Sequence, residues 1–299
     1  MGIKNLAKII RSVAPNAVQD VTMESLRGTT ISIDVPIFMY KYTYINPSDP
    51  LEGFRTQLET LKQLQITPIY VFDGKVAPVK EPEMIKRREM IRKAVDNLAE
   101  AEQNYKEKKA KIDPADFTTN IGVLVDACNQ FEKAKKKVQS VPTKASYIQL
   151  EQYLTKNNVQ WMQAKNDAEK TCANLVSSGK AFAVVSEDFD TLPYLCGMGT
   201  KGKLITGFGK ETMKAYDLEP LLSTIKMDQK QFIDFCILSG CDLCSKIKNI
   251  AGKRALTLVQ SHKSIENIIR VIDKNKYQVP EEFDFQAARE EFGIVATTV

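Results

Sequence analysis

The chain has 299 residues, enough for one large α/β domain or a domain with a small appendage. Hydrophobic residues make up 43% and charged residues 26%, the balance of an ordinary globular protein, and no run of about 18 apolar residues argues for a membrane partner. The net charge of +5 says little taken whole, but the segment from Lys80 to Lys144 holds fifteen Lys/Arg against eleven Asp/Glu, a local balance of +4. The opening Met1-Gly2-Ile3-Lys4-Asn5-Leu6 has no apolar signal-peptide core and no Ser or Thr at position 6 for myristoylation. An intracellular setting, a nucleus or a viral replication site, is the expectation.

In chain order, the first apolar run, Thr30-Ile31-Ser32-Ile33, ends in Asp34. A helix-like segment follows over Leu51 to Gln65, and then a second run, Pro68 to Phe72, ends in Asp73. From Glu81 to Ser140 the composition changes to Lys, Glu, Ala and Gln, which favour helix. Pro114 breaks that stretch, so two helices joined by a turn around Lys111 to Thr119 are expected, the first polar almost all round. Asp167-Ala168-Glu169 opens another helix, with Cys172, Leu175 and Val176 inward and Gly179 at its end. A third apolar run, Ala181 to Ser186, leads into Glu187, Asp188 and Asp190. The last third is helical. Asp228 and Gln231 have capping-box spacing before Phe232, Phe235, Cys236 and Leu238, and Gly240 is the stop. Helices are expected again from Gly252, with Ala255, Leu256 and Val259 inward, and over Ser264 to Ile272. Beyond Asp273 there is no strong pattern.

The six cysteines include Cys241-x-x-Cys244, but a second ligand pair is missing and His262 is the single histidine, so reduced thiols are expected rather than a zinc site. Short β-branched runs alternating with helices predict an α/β fold, a central mostly parallel sheet flanked by helices. Ligands of such sheets bind beyond the carboxyl ends of the strands, where these acids fall. Asp34, Asp73, Asp167, Glu169, Asp188, Asp190 and Asp242 are therefore candidates for one cluster. Taken singly, Asp167 reads as a helix N-cap and Asp242 as a turn residue. Together, such carboxylates cannot all stay ionised without compensation. All-oxygen ligation favours two Mg²⁺ or Mn²⁺ ions, an arrangement suited to in-line phosphodiester displacement.

Here the residues resemble a known family. Met1 to Lys8, Val71-Phe72-Asp73-Gly74-Lys75, Ser186 to Leu192 and Leu238-Ser239-Gly240-Cys241-Asp242 are similar, in order, to blocks of the flap endonucleases, structure-specific 5′ nucleases. The resemblance implies that the seven acids hold the metal ions and that Lys80 and Arg87 act catalytically on the scissile phosphate. It implies that Tyr40 stacks on a base and that Gly2 lies close to DNA. It makes residues 80–146 a helical arch inserted between nuclease regions 1–79 and 147–222. Residues 223–275 become a C-terminal helix-two-turn-helix DNA-binding module, followed by a tail, 276–299, the whole forming a single nuclease domain, 1–299. Gly252, Lys253 and Arg254 would meet duplex phosphates beside a bound K⁺. The implied partner is DNA with a 5′ flap, nick, gap or junction, bound by a monomer; no sliding-clamp peptide is recognised, since Gln286-Ala287-Ala288-Arg289 lacks the apolar residue such a peptide needs.

Three departures stand out. The family usually has Glu where Asp167 stands. Its Gly-Ile-Gly turn reads Asn249-Ile250-Ala251. The arch is longer than typical. A 5′ exonuclease or junction resolvase of the same family, and a non-catalytic junction-binding scaffold, are the competing readings.

Overall fold

Each of the three apolar runs is a strand that delivers an acid at its carboxyl end. The computed structural model describes residues 2–3, 5–111, 117–199 and 201–294. Among the described residues, seven strands form one sheet in the order β1-β7-β6-β5-β2-β3-β4. These are β1 (Val18–Val21), β2 (Thr30–Asp34), β3 (Thr67–Phe72), β4 (Trp161–Gln163), β5 (Ala183–Val185), β6 (Lys203–Thr206) and β7 (Met213–Asp217). At the centre β2 pairs in parallel with both β3 and β5, so the chain leaves all three in the same direction. Ile31, Ile33, Val71 and Val184 are buried there, as expected of strands covered on both faces. The mostly parallel sheet was legible; its antiparallel edge, β6 with β7 and β7 with β1, was not. β1 reads Val-Gln-Asp-Val, which carries no long apolar run.

The helices are α1 (Leu6–Val13), α2 (Val35–Ile45), α3 (Leu51–Gln63), α4 (Glu81–Ala110), α5 (Phe117–Gln139), α6 (Lys144–Lys156), α7 (Ala168–Ser177), α8 (Thr191–Gly197), α9 (Leu218–Ile225), α10 (Gln229–Gly240), α11 (Gly252–His262), α12 (Ile265–Val271) and α13 (Phe285–Glu291). α3 stops two residues before its expected end, because Gln65 turns to a positive φ of 56° ahead of β3. No helix among the described residues is long and apolar enough to cross a membrane.

The chain divides into two compact units. One comprises Met1–Phe38, Arg55–Glu81 and Glu151–Val299; the other comprises Met39–Phe54 and Pro82–Leu150. The second unit is helical. Along α4 and α5, Ala94 and Ala127 alone are buried among the described residues, and Tyr105 stacks on Phe131 with ring centroids 5.7 Å apart. Lys109 lies over the Tyr105 ring and Lys135 over the Phe131 ring. The polar character read along α4 is thus that of a solvated helical pair with a thin seam. Of the expected turn, residues 112–116 lie outside the described residues, and α5 is under way by Phe117.

The first unit holds the sheet, the main apolar core and the last third of the chain. The expected capping box forms: Asp228 Oδ1 accepts from Gln231 N–H at 2.8 Å, and Gln231 Oε1 accepts from Asp228 N–H at 3.2 Å. α10 ends at Gly240, whose φ is +96°, a conformation glycine adopts without strain. Ala255, Leu256 and Val259 of α11 point inward as their spacing predicts.

The tail is more ordered than its sequence suggested. Asp284 caps α13 through Ala287 N–H at 2.9 Å, and Arg289 of α13 is buried. Its guanidinium donates to both oxygens of Asp234 on α10, each at 2.6 Å, and to both oxygens of Glu266 on α12, at 2.5 and 3.0 Å. Arg289→Ala leaves the wholly buried Asp234 without its countercharge. Loss of one partner of a buried pair costs about 3–5 kcal/mol. Urea unfolding of the variant checks this, and a loss below ~1 kcal/mol, the scale of an exposed pair, would contradict it.

Candidate metal centre

The acids gather where β2, β3 and β5 end. Asp34 closes β2 and is 1% exposed. Its Oδ2 accepts from Ser186 Oγ–H at 2.6 Å, and its Oδ1 has no hydrogen-bond partner among the described residues. Asp73 follows β3, and its Oδ1 accepts from Ala168 N–H, the first amide of α7, at 2.9 Å. An anion is favoured there by the positive end of the helix. Asp167 sits at the N-cap position of α7 yet makes no capping bond. Its Oδ2 instead accepts from Tyr194 Oη–H at 2.8 Å and from Lys80 Nζ at 2.7 Å. Glu169, two residues on, lies 3.9 Å from the same ammonium. Asp73, Asp167 and Glu169 each offer an oxygen within 4.8 Å of the others.

Asp188 and Asp190 follow β5. Asp188 Oδ1 accepts from Asp190 N–H at 3.0 Å, and Asp190 Oδ1 accepts from Ile3 N–H at 2.7 Å. The amino-terminal residues thus lie inside the acid cluster. A Cβ on Gly2 would fall 2.0 Å from Asp188 Oδ1, and its φ is +78°. The glycine is needed for the protein's own carboxylates, before any contact with a nucleic acid is considered. Asp242, in the turn after α10, bears electrostatically on Asp188 and Asp190.

Burial, then the neighbouring acids, decide the protonation of this cluster. Asp34 is pushed up to about 8 by burial, with Asp73 and Asp188 adding repulsion against the Ser186 hydrogen bond. Asp190 is pushed up to about 8 by burial and by Asp188 and Asp242. Glu169 rises well above the carboxylate range through burial, with Lys80 opposing. Asp188 is raised, again chiefly by burial. Burial disfavours the charge on Lys80, but Glu169 and Asp167 outweigh it and hold the ammonium above the usual lysine range. Such a set fits a hard divalent cation: the donors are all carboxylate oxygens, Asp34 Oδ1 has no partner among the described residues, and burial, with repulsion added, drives Asp34, Glu169, Asp188 and Asp190 toward protons.

Of the seven acids singled out in the sequence, Asp73, Asp167 and Glu169 have ligand spacing, and Asp34, Asp188, Asp190 and Asp242 are tied to them or to one another electrostatically. Lys80 joins them as a counter-ion on Asp167 and Glu169. Glu187, in the same run as Asp188, turns away and accepts from Gly207 N–H at 3.0 Å. Tyr40 and Arg87 stand in the second unit, on α2 and α4, where Arg87 pairs with Glu83 at 3.5 Å. Gly252, Lys253 and Arg254 open α11. Arg254 donates to Asn249 O at 2.6 Å and closes the turn that contains Ala251. Ala251 itself is extended, with φ of −167°, and tolerates its Cβ. Sequence reasoning missed Ser186 and Tyr194. Ser186 had a faint signal, a polar residue closing an apolar run; Tyr194 had none.

The family model described as the XPG N-terminal domain matches residues 1–94, and that of the XPG I-region matches residues 158–242. All seven acids lie inside these two spans. Flap endonuclease 1 of Bos taurus is 32% identical over 305 residues, covering 98% of this chain and 74% of that protein. The solved flap endonuclease-1 from Methanococcus jannaschii superposes with a TM-score of 0.62 at 22% identity, covering 97% of this chain and 84% of that one. The catalytic core of Rad2, solved with a DNA substrate, superposes with a TM-score of 0.61 at 19% identity, covering 97% and 77%. These two structures share the fold, and the sequence match across nearly the whole chain goes further: the chain belongs to the flap endonuclease family of structure-specific 5′ nucleases.

Proposed function

We propose that the chain hydrolyses DNA phosphodiesters at the foot of 5′ flaps during replication, repair or recombination, using two Mg²⁺ or Mn²⁺ ions. The observation that supports this is the acid cluster itself: Asp34, Asp73, Asp188 and Asp190 beyond three parallel strands, Asp167 and Glu169 at the head of α7 beside Asp73, and a buried Asp34 Oδ1 that has no partner among the described residues. Asp34, Asp73, Asp167, Glu169, Asp188, Asp190 and Asp242 hold the ions, directly or through water. When bound, the ions activate a water and neutralise charge on the leaving oxygen. The chain's own residues do the rest. Lys80 and Arg87 offer cations to the scissile phosphate, where charge grows in the transition state. Tyr40, 36% exposed, provides a face for an unpaired base, a contact worth ~1–3 kcal/mol. The lysines along α4 and α5 attract the backbone of a 5′ single strand. The amino end of α11, with Gly252, Lys253 and Arg254, grips duplex phosphates beside a K⁺ ion. The protein acts as a monomer on this reading.

The first test is cleavage of a labelled 5′-flap duplex with Mg²⁺ and with EDTA, beside a blunt duplex and a plain single strand. Metal-dependent cutting at the flap base is expected. Stepwise release from a blunt 5′ end would move the chain to the exonuclease side of the family. Asp188→Ala and Asp242→Ala each abolish cutting while flap binding survives; near-normal rates in either variant would undo the ligand assignment. Arg87→Ala lowers the single-turnover rate far more than it weakens binding, and a loss confined to affinity would deny it a chemical role.

The raised acids also predict a pH dependence. Asp34 and Asp190 bind protons more readily in the folded chain than in the unfolded one, where the value is 3.8. The stability they contribute is therefore present below that value and is lost as the pH climbs toward 8. The metal-free protein melts at progressively lower temperature from about pH 5 to pH 8, and added Mg²⁺ reverses most of the fall. A flat or rising melting curve without metal would contradict this.

A further inference from the structure

The acid at the head of α7 does not do what an Asp in that position ordinarily does. An N-cap carboxylate normally accepts from the amides of its own helix's first turn. Asp167 makes no such bond. The helix's first amide, Ala168 N–H, is taken by Asp73, and Asp167 Oδ2 is drawn to the hydroxyl of Tyr194 and the ammonium of Lys80 instead of to the second or third amide. Tyr194, 1% exposed on α8, sits 27 residues away in the chain. Its ring is held in turn by the carboxyl-terminal segment. Phe292, just past α13, meets it edge-on, with centroids 5.0 Å apart and planes at 65°.

The grip on Phe292 is close. A Cβ on Gly197, at the end of α8, would fall 1.7 Å from Phe292 O, so the two backbones touch where only glycine fits. Glu291 pairs with Lys170 of α7 at 2.7 Å, and Arg289 ties α13 to α10 and α12. A chain of packed contacts therefore runs from the carboxyl-terminal helix through Phe292 and Tyr194 to Asp167.

We propose that Tyr194 is a positioning residue that diverts Asp167 from capping α7 into the metal cluster, and that α13, through Phe292, holds Tyr194 in place. The short side chain of an N-cap Asp lies beside the first-turn amides of α7, so an unrestrained Asp167 falls back on them. This rests on the reading of Asp167 as a metal ligand.

The test uses the full chain and Mn²⁺ alone as the probe. Tyr194→Phe keeps the ring and its packing and removes the hydroxyl. Isothermal titration should show its Mn²⁺ affinity reduced about ten- to a hundredfold, the usual cost of losing a partner behind a ligand. Flap-duplex affinity in EDTA stays as in the unaltered protein, and the single-turnover cleavage rate, low at limiting Mg²⁺, recovers at high Mg²⁺. Phe292→Leu, which leaves the Tyr194 hydroxyl in place and removes the ring packed against it, shifts Mn²⁺ affinity in the same direction. Unchanged Mn²⁺ affinity in Tyr194→Phe, with Mn²⁺ binding intact in the unaltered protein, overturns the positioning role alone. A rate loss that high Mg²⁺ does not restore overturns it as well. Absence of Mn²⁺ binding in the unaltered protein overturns both this role and the metal centre it depends on.

Discussion

Carboxylates crowded into a partly buried site repel one another, and the rest of this fold is arranged around that repulsion. Parallel pairing of β2 with β3 and β5 sends Asp34, Asp73, Asp188 and Asp190 to one edge. Nothing about a sheet requires acids there. Each acid is steadied by a group from elsewhere in the chain: Ser186 for Asp34, the first amide of α7 for Asp73, the Ile3 amide for Asp190, Tyr194 and Lys80 for Asp167. These bonds fix where the oxygens point without cancelling the charge. Only cations can do that, and Lys80 opposes the upward shift of Asp34, Glu169, Asp188 and Asp190 at once. The same donors could hold a metal ion, which would meet the remaining demand.

The same site explains otherwise arbitrary features of the chain. The second residue must be glycine because the carboxylates of Asp188 and Asp190 occupy the space of a side chain. Glu187 stays out of the cluster because Gly207 N–H claims it. Arg289, the buried Asp234 and the half-buried Glu266 join α13 to α10 and α12, and α13 is at the same time packed on α7 and α8. A segment without clear periodicity thereby becomes part of the frame of the acid cluster.

What the sequence determined by itself was local. Runs of β-branched residues ending in acids marked β2, β3 and β5, because strand preference and burial are written into four to six neighbouring residues. The box of Asp228 with Gln231 and the stop at Gly240 were legible for the same reason, since caps are completed within one helical turn. The ordered motif blocks pointed to the family and hold four of the acids, Asp73, Asp188, Asp190 and Asp242; a strand end marked Asp34 and a helix start marked Asp167 and Glu169. The tertiary structure alone decided how the acids are held. The partner of Asp167 is 27 residues away, that of Asp34 is 152 and that of Asp190 is 187. No period or spacing encodes such contacts; they exist only once the parallel crossovers and the last helix have brought distant segments together. The conversion of Asp167 from an apparent helix cap into a member of the acid cluster is of this kind, since its own neighbours favour the cap and only Tyr194 and Lys80, supplied by the fold, pull it away.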